Sequence, residues 1–427
     1  MLDSIFKRLR GKKILIAGFG REGQSTLRFL QKFLPNANIG IADKNESAFK
    51  NLDKERYKLF SGDDYLNAYS YYDIVIKTPG ISVNNLNVDL TKITSQTDLF
   101  LDAFHDQVIG ITGTKGKSTT STLIYHLLKE SGKDVILAGN IGTPVFDCLE
   151  MISRKTIIVY ELSAHQLQFI NKSPHVGVLL NVFEEHLDHF GTYEKYRYSK
   201  INVMRYMSDS DIAVLNNKLC FDASVLDKRY VDFENYSFDD YDIRWDEIPL
   251  QGEHNKYNIK AALCACYSFG LTIDDLIPHI YTFKPLEHRQ EFVGTFKGVR
   301  FYNDSISTIP QATIVALNTI KNVDFLLLGG FDRGIEYEPL VTYLKENALP
   351  YILITGKAGE TIKKKLHDAG YKGDIFEYTD MESAFVIIRE LSKNNDVCLL
   401  SPAAASYDRY KNFEERGQTF KELANKF

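Results

Sequence analysis

The chain has 427 residues, of which 44% are hydrophobic and 25% are charged, and its net charge is -5. This length is enough for two or three domains, and this composition is typical of a soluble globular protein rather than of a disordered or fibrous one. The net negative charge argues against general nucleic-acid binding, which needs a basic surplus. The five cysteines include no Cys-x-x-Cys pair, so they predict neither a disulfide framework nor a zinc ribbon.

Membrane insertion is not expected. No segment approaches the run of about 18 apolar residues that a spanning helix needs. The N-terminal run ILIAGFG follows basic residues, but glycines interrupt it and an arginine ends it, so it predicts a strand rather than a signal sequence. We therefore expect a cytoplasmic protein, and we expect it to be a monomer.

Apolar segments of strand length alternate with helix-length segments along most of the chain. Examples are KILIAG, NIGIAD, DIVIKT, QVIGIT, DVILAG, TIIVYE, HVGVLLN, DFLLLGG and DVCLLS. This alternation is typical of βα units, so it predicts an α/β protein with parallel sheets. We divide the chain into three predicted domains, at residues 1–92, 93–285 and 286–427.

The first glycine-rich loop is GFGREG. Gly18, Gly20 and Gly23 fit the GxGxxG pattern after a predicted strand, and Asp43 ends the next strand. Taken alone, this pattern indicates dinucleotide binding, or a tight turn that packs against its helix and binds nothing. Because a second nucleotide loop follows, a nucleotide-bearing substrate is a simpler interpretation than NAD.

The second loop, GITGTKGKST at 110–119, is the most specific local pattern. A generic GxxxxGK(S/T) loop would need glycine at position 111, where Ile111 stands, but the tighter form GTxGK(S/T) matches. In such loops backbone N–H groups hold a polyphosphate, the lysine reaches its outer oxygens and a hydroxyl binds Mg²⁺. The candidate nucleotide-binding residues are Gly113, Thr114, Gly116, Lys117, Ser118 and Thr119.

Two acidic segments follow this loop. Glu161 ends the apolar strand TIIVYE, where a carboxylate can hold the metal of a bound nucleotide; the alternative is a helix-capping acid. A dense polar cluster lies in NVFEEHLDHF, and its members are Glu184, Glu185, His186, Asp188 and His189. Hard oxygen ligands near a nucleotide loop favour Mg²⁺ or Mn²⁺ over zinc. A polar helix start is the alternative here.

The chain resembles the Mur ligases of peptidoglycan synthesis over nearly its whole length. The motifs that carry the resemblance occur in the family's order. They are GITGTKGKST, GNIGTP, ELSAHQL, NVFEEHLDHF, YRYSK, GEHNKYNIKAA, LEHRQE, YNDSIST, LLLGGFDRG and SPAAASYDRYKNFEERGQTF.

The resemblance implies a Rossmann-like N-terminal domain for UDP, a central P-loop domain for ATP and a Rossmann-like C-terminal domain. It also implies acyl activation. ATP phosphorylates the terminal carboxylate of UDP-N-acetylmuramoyl-L-alanine (UDP-MurNAc-L-Ala), and the amine of glutamate then displaces the phosphate. Water must be excluded because it would hydrolyse the acyl phosphate.

Residue roles follow from the same resemblance. The implied catalytic residues are Lys117, His186 and Lys200, and Lys200 is expected to be carbamylated. The implied ligands of Mg²⁺, or of Mn²⁺, are Ser118, Glu161, His186 and Lys200. Further implied ATP contacts are Asn258, Arg289 and Asp304. The implied contacts to UDP-MurNAc-L-Ala are Gly20, Arg21, Asp43, Thr78, Gly80 and Asn140, and those to glutamate are Ser406 and Phe413.

The chain departs from the commonest family pattern at the amino-acid site. That pattern has a lysine where Ile306 stands, and isoleucine cannot hold a carboxylate. Arg333 is the nearest candidate cation among the motifs, although it could equally be a solvated loop arginine. We expect D-glutamate as the substrate with Arg333 as its anchor, and a variant that adds L-glutamate is the alternative.

Three other functions stay open from the sequence. An NAD-dependent dehydrogenase would explain GFGREG but would leave the segments at 110–119 and 184–200 without a role. A non-catalytic nucleotide-binding protein would not need the lysines and acids described above. A folate-polyglutamate-type ligase shares the ATP core but lacks the N-terminal domain.

Overall fold

A computed structural model describes the chain except residues 51, 84–88, 141–142, 220–228, 251 and 286, and of Asp188 it describes only the backbone. Cys220, two residues of the GNIGTP motif and the first residue of LEHRQE lie outside the described part. The described residues form two compact units, Met1–Lys284 and Pro285–Phe427. Three sheets with flanking helices confirm the predicted α/β class. No described helix is both long and apolar enough to cross a membrane.

The first unit contains a five-stranded parallel sheet in the order β3-β2-β1-β4-β5. The strands are β1 Lys13–Ala17, β2 Asn38–Ala42, β3 Lys58–Phe60, β4 Ile74–Lys77 and β5 Ile93–Thr94, and the helices are α1 Asp3–Leu9, α2 Arg21–Phe33 and α3 Gln96–Phe104. The strand order reverses between β1 and β4, and ligands bind at the carboxyl ends of strands at such a point. GFGREG follows β1 there, and Thr78 follows β4.

The same unit contains a six-stranded parallel sheet in the order β11-β10-β9-β6-β8-β7. The strands are β6 Val108–Thr112, β7 Val135–Gly139, β8 Ile157–Glu161, β9 Val176–Leu179, β10 Ile212–Leu215 and β11 Tyr230–Asp232. The helices are α4 Lys117–Glu130, α5 Ala164–Leu167, α6 Leu187–Phe190, α7 Tyr193–Arg205, α8 Glu253–Ser268 and α9 Ile273–Ile280.

This second sheet is buried on both faces, which explains its uninterrupted apolar strands. Ile109 of β6 packs in one cluster with Leu123 of α4, whereas Val108 packs in another with Ile201 of α7. The carboxyl ends of β6, β8 and β9 lie at one edge because these strands are parallel neighbours. That edge therefore gathers the second glycine loop, Glu161 and the segment that begins at Asn181.

The second unit is built on a six-stranded mixed sheet in the order β12-β13-β17-β14-β15-β16. The strands are β12 Glu291–Phe296, β13 Val299–Asn303, β14 Phe325–Gly329, β15 Tyr351–Thr355, β16 Asp374–Glu377 and β17 Val397–Leu400. The helices are α10 Pro310–Thr319, α11 Glu338–Glu346, α12 Gly356–Asp368, α13 Met381–Leu391 and α14 Phe413–Asn425. Only β12 is antiparallel to its neighbour among these strands. The loops after β13, β17 and β14 are consequently adjacent.

Candidate active site

The second glycine loop joins β6 to α4, as the sequence predicts. Gly116 precedes α4 with a φ of 86°, in the left-handed region that favours glycine. A Cβ at this position would lie 2.4 Å from Oδ1 of Asn258 on α8. Glycine therefore permits both the turn and the close approach of Asn258, so this predicted ATP contact lies beside the loop.

Two lysine side chains meet at the carbonyl oxygen of Gly113. Lys117 Nζ donates to this oxygen at 2.9 Å and to Thr114 O at 3.0 Å. Lys200 Nζ, from α7, donates to the same Gly113 oxygen at 2.8 Å. Lys200 is 2% exposed, and burial, helped by the charge of Lys117, holds the pKa of its ammonium well below the ordinary value.

Hydrogen bonds from the segment after β9 hold the loop in shape. Asn181 Oδ1 accepts from Lys115 N at 2.8 Å, and Asn181 Nδ2 donates to Lys115 O at 3.0 Å. Thr114 Oγ1 lies 3.0 Å from the Tyr196 hydroxyl and accepts from Phe183 N at 2.9 Å. Thr114 is therefore a structural part of the loop. The half-buried Ser118 and the buried Thr119 lie in the first turn of helix α4, which begins at Lys117.

Glu161, at the carboxyl end of β8, has one carboxylate oxygen without a hydrogen-bond partner. The residue is fully buried, and its Oε1 accepts from Asn140 Nδ2 at 2.7 Å. Its Oε2 is buried and has no partner among the described residues. An unpaired buried carboxylate oxygen is costly unless a cation or a donor completes it. The position therefore fits a metal ligand better than a helix cap.

The second acidic segment brings histidines together. His186 has a φ of 57°, a left-handed conformation that is uncommon outside glycine, and its side chain is exposed. The ring centroid of His165 lies 4.9 Å from that of His186 and 4.3 Å from that of His189. Burial and the neighbouring histidines lower the pKa of His165 to about 3, so its ring is neutral at physiological pH.

A ready-made metal cage is absent from the described residues. No group of three His, Cys, Asp or Glu side chains among them is arranged to hold an ion. His186 contacts Glu185, with Nε2 and Oε2 3.8 Å apart. The structure thus brings Lys117, Lys200 and the loop together, but it does not place His186 and Glu161 in one preformed ligand set.

The first glycine loop closes tightly against the strand ends around it. A Cβ at Gly18, where φ is 91°, would lie 1.9 Å from Oγ1 of Thr78. A Cβ at Gly23 would lie 2.1 Å from Gly18 O. Asp43 Oδ2 accepts from Phe19 N at 2.7 Å, so its carboxylate fixes the loop from the neighbouring strand.

The other predicted contacts of this first site lie on the same edge. Gly20 is the N-cap of α2, and the exposed Arg21 is the first residue of that helix. Gly80 is exposed, and a Cβ there would meet no described atom within 4 Å. The loop thus combines the close packing that explains its glycines with an open surface for a ligand.

In the second unit, Asp304 is buried directly after β13. Its Oδ2 accepts from Ser401 Oγ at 2.7 Å and its Oδ1 from Gln290 N at 3.1 Å. Burial raises the pKa of Asp304 to about 6 despite these donors. Nε of Arg289 is buried and has no hydrogen-bond partner in the described part of the chain. A buried donor of this kind needs an acceptor, which a bound ligand would supply.

The remaining predicted contacts lie on three loops of the second unit. Ser406 is buried in the loop after β17, and Phe413 begins α14. The half-buried Ile306 is in the loop after β13. Arg333 is exposed in the loop after β14, where its Nη2 donates to Thr308 O at 3.0 Å. Adjacent strands thus bring these distant segments to one edge.

The sequence did not single out His165 or Asn181. His165 follows Glu161 by four residues in ELSAHQL, and the density of polar residues in that motif is the signal that could have indicated it. Asn181 precedes the acidic cluster directly. Its contact with the loop arises only because β9 and β6 are neighbours, and no local pattern reports such pairing.

Comparison with known proteins decides the family. The family model described as "Mur ligase middle domain" matches residues 111–246. A UDP-N-acetylmuramoylalanine–D-glutamate ligase of Clostridium acetobutylicum is 32% identical over 99% of this chain and 98% of the relative. One from Symbiobacterium thermophilum is 35% identical over 86% of each chain. The chain belongs to the Mur ligase family.

This Mur ligase is therefore an ATP-dependent enzyme that forms an amide bond in peptidoglycan synthesis, as the motifs predict. Among solved structures, it resembles the MurF ligase from Thermotoga maritima in complex with ADP, with a TM-score of 0.55 and 20% identity over 100% of this chain and 97% of that one. That likeness confirms the Mur ligase fold. The dehydrogenase interpretation of GFGREG and the interpretation of the chain as a non-catalytic nucleotide-binding protein are not supported.

Proposed function

We propose that this Mur ligase joins D-glutamate to UDP-MurNAc-L-Ala. The γ-phosphoryl group of ATP passes to an oxygen of the alanine carboxylate, which gives an acyl phosphate and ADP. The glutamate amine attacks the acyl carbon, loses a proton, and the tetrahedral intermediate expels inorganic phosphate. The observation that carries the substrate assignment is the full-length similarity to D-glutamate ligases.

The second glycine loop, with its Lys117, is proposed to hold the ATP phosphates. Lys117 Nζ lies across the loop on two carbonyl oxygens, from which it can turn to a phosphoryl group that brings negative charge. Asn258, Arg289 and Asp304 are proposed as further ATP contacts. The orphaned Nε of Arg289 supports its assignment.

Mg²⁺ fits the donors of the first unit. Glu161 Oε2 is a hard oxygen that has no partner among the described residues, so a cation there would satisfy it. We propose Ser118, Glu161, His186 and a carbamate on Lys200 as the residues that hold Mg²⁺. When bound, the ion neutralises charge on the phosphate oxygens.

Carbamylation of Lys200 is proposed from its surroundings. Carbon dioxide adds only to a neutral amine, and burial beside Lys117 favours the neutral form of Lys200. The carbamate would replace the charge of a second buried lysine with two acceptor oxygens. That change removes the repulsion that a protonated Lys200 would meet from Lys117, which donates to the same carbonyl oxygen.

We propose that residues 1–92 form the domain that binds the UDP group, with Gly20, Arg21, Asp43, Thr78 and Gly80 as its contacts. Asn140, next to Glu161, is proposed to contact the muramoyl-alanine part. Residues 93–285 and 286–427 are the proposed ATP-binding and amino-acid-binding domains. The substrates place the enzyme in the cytoplasm, where ATP and nucleotide sugars are available.

Calorimetry should show that the first glycine loop binds UDP-MurNAc-L-Ala and not NAD. The reason is that Asp43 already accepts from Phe19 N and fixes a loop beside β4, where the proposal places uridine and diphosphate. Gly80→Trp, which would place a bulky ring on the open surface of this loop, should abolish this binding while ATP binding persists. NAD that bound more tightly than UDP-MurNAc-L-Ala would reverse the assignment.

The amino-acid site is proposed to consist of Arg333, Ser406 and Phe413. Ile306 leaves it without the lysine of the commonest pattern, and this observation favours L-glutamate as the second candidate substrate. Glutamate has two carboxylates, and leaving one unpaired in a partly buried site would cost roughly several kcal/mol. Arg333, exposed on its loop, can grip one of them in a bidentate manner.

The direct test is phosphate release with UDP-MurNAc-L-Ala, ATP and Mg²⁺, measured with D- and L-glutamate in parallel. We expect kcat/KM to be higher for the D-enantiomer. Omission of the UDP substrate should reduce phosphate release to background. A preference for L-glutamate would establish the second candidate, and no release with either enantiomer would refute the proposed activity.

A further inference from the structure

A buried arginine that has no acidic partner among the described residues contacts the loops of the second unit that carry the proposed amino-acid site. Arg416, on α14, is 4% exposed. Its Nε donates to Ser305 Oγ at 3.0 Å, and its Nη2 donates to Ser305 O at 2.9 Å. Nη1 and Nη2 both donate to Ala404 O, at 3.2 and 3.1 Å. Every acceptor is a hydroxyl or a carbonyl oxygen, so the contacts satisfy the guanidinium without neutralising it.

The partners of Arg416 belong to loops at the carboxyl ends of three neighbouring strands. Ser305 follows β13, Ala404 follows β17, and Gly330 follows β14. A Cβ at Gly330 would lie 3.3 Å from Nη1 of Arg416, so this third loop also packs against the guanidinium. The carboxyl edge of such a sheet is where α/β proteins bind their ligands. Arg416 therefore lies next to the loops at the carboxyl edge of the sheet, where a ligand is expected to bind.

The charge on Arg416 is not balanced locally. Within the described part of the chain, no carboxylate oxygen lies within the 4.0 Å ion-pair distance of its nitrogens. Burial lowers its pKa to about 10, against smaller opposing effects of Tyr378, Asp408 and Tyr410, so it remains a cation at neutral pH. Lys421 on the same helix differs, because its Nζ lies 2.5 Å from an oxygen of Glu291.

A buried cation that is hydrogen-bonded but not ion-paired keeps an unbalanced charge, which is unfavourable. In a low-dielectric environment its field reaches further than in water, so it attracts an anion that does not touch it. The loop residue next to Ser305 is the apolar Ile306, which contributes no charge. A dicarboxylate bound at this edge would therefore meet the buried charge of Arg416 and the exposed charge of Arg333.

We infer that Arg416 is a positioning and specificity-determining residue of the amino-acid site, which holds the three loops together and supplies buried positive charge for a carboxylate of the incoming glutamate. This inference rests on the proposed function. It identifies the substrate class as an acidic amino acid, whichever enantiomer is used. It also explains how the site accepts a dicarboxylate without a lysine at position 306.

The first experiment compares Arg416→Gln and Arg416→Lys by phosphate release. Arg416→Gln should raise the KM for glutamate about tenfold or more, and the KM for ATP and for UDP-MurNAc-L-Ala by less than about twofold. Arg416→Lys keeps the charge but loses the multiple hydrogen bonds, so its glutamate KM should stay within about threefold of wild type. Lys421→Gln is the matched control and should leave the glutamate KM unchanged.

The second experiment separates charge from loop structure. Adding Ile306→Lys to Arg416→Gln returns a cation next to Ser305, so it should lower the raised glutamate KM by at least about fivefold. A purely structural arginine predicts no such rescue, and it predicts equal losses in Arg416→Gln and Arg416→Lys. Either of those results would overturn the inference.

A third measurement leaves Arg416 in place, in case its variants do not fold. In Arg333→Ala, glutamate should still exceed glutamine in kcat/KM by about tenfold or more, because the buried cation still acts on the side-chain carboxylate. A glutamate-to-glutamine ratio of kcat/KM near one would mean that Arg333 alone recognises the side-chain carboxylate, and it would overturn the inference. The proposed function fails separately, if the wild-type enzyme ligates no glutamate at all.

Discussion

Lys117→Ala is expected to reduce ATP-dependent ligation by at least about a hundredfold while the fold stays intact. The side chain crosses the loop on the carbonyls of Gly113 and Thr114 and fills no core position, so its loss removes a cation and the hydrogen bonds to these carbonyls. The unfolding free energy should fall by only about 1–2 kcal/mol. Phosphate release and thermal unfolding, measured on one preparation, check both parts.

Lys115→Ala is the matched control for this prediction. Lys115 belongs to the same loop, but it is exposed and its Nζ is 2.7 Å from Glu185 Oε1, so it should contribute little to the phosphoryl step. A Lys117→Ala enzyme with near wild-type turnover would refute the role assigned to the loop. Equal losses in both variants would show that charge in the loop matters rather than the position of Lys117.

Lys200→Ala should be nearly inactive, with a loss of about a hundredfold or more, and millimolar formate or acetate should restore part of the activity. If Lys200 carries a carbamate, a small carboxylate that enters the vacated space replaces the missing oxygens beside the carbonyl of Gly113. Wild-type enzyme in ¹³C-bicarbonate should also show a carbamate signal by NMR. That signal should fade as the pH falls, because protonation of the amine prevents addition of carbon dioxide.

Lys195→Ala is the control for this variant, since Lys195 is an exposed lysine on the same helix. It should keep wild-type activity, and formate should not affect it. A Lys200→Arg enzyme as active as wild type would argue that only a positive charge is needed there. Full activity of Lys200→Ala would remove this residue from the mechanism.

The burial and contacts of Lys200 are not predicted by the local sequence pattern. The sequence YRYSK gives no sign that the last residue is buried, and by itself it favours a surface lysine. The resemblance assigned a role to this residue, and the structure shows its surroundings. Helix α7 packs against β6 and β9, which brings Nζ to the carbonyl oxygen of Gly113. A contact between residues so far apart in sequence depends on the packing of the sheet and has no local signature.

Strands with long apolar runs were predictable, and short edge strands were not. The segments KILIAG, QVIGIT and DVCLLS are strands because burial on both faces of a parallel sheet requires unbroken apolar residues. The short strands β3, β5 and β11 are not evident from the sequence. Each lies at a sheet edge and contributes two or three residues, too few for a periodic signal.

The sequence by itself determined the α/β class, the two glycine loops and the family. Each of these depends on residues that are close together in the chain: a strand followed by glycines, a lysine and hydroxyls specifies its own turn and its ligand chemistry. Motifs in the family's order then connected the segments along the chain.

Only the tertiary structure decided which buried polar groups lack a partner or a counter-charge. Among the described residues, Glu161 Oε2 and Nε of Arg289 have no hydrogen-bond partner, and the guanidinium of Arg416 is hydrogen-bonded but contacts no carboxylate. Burial and missing partners depend on every element that packs around a residue. Strand order, which brings the loops after β13, β17 and β14 to one edge, is likewise set by long-range packing and not by any local pattern.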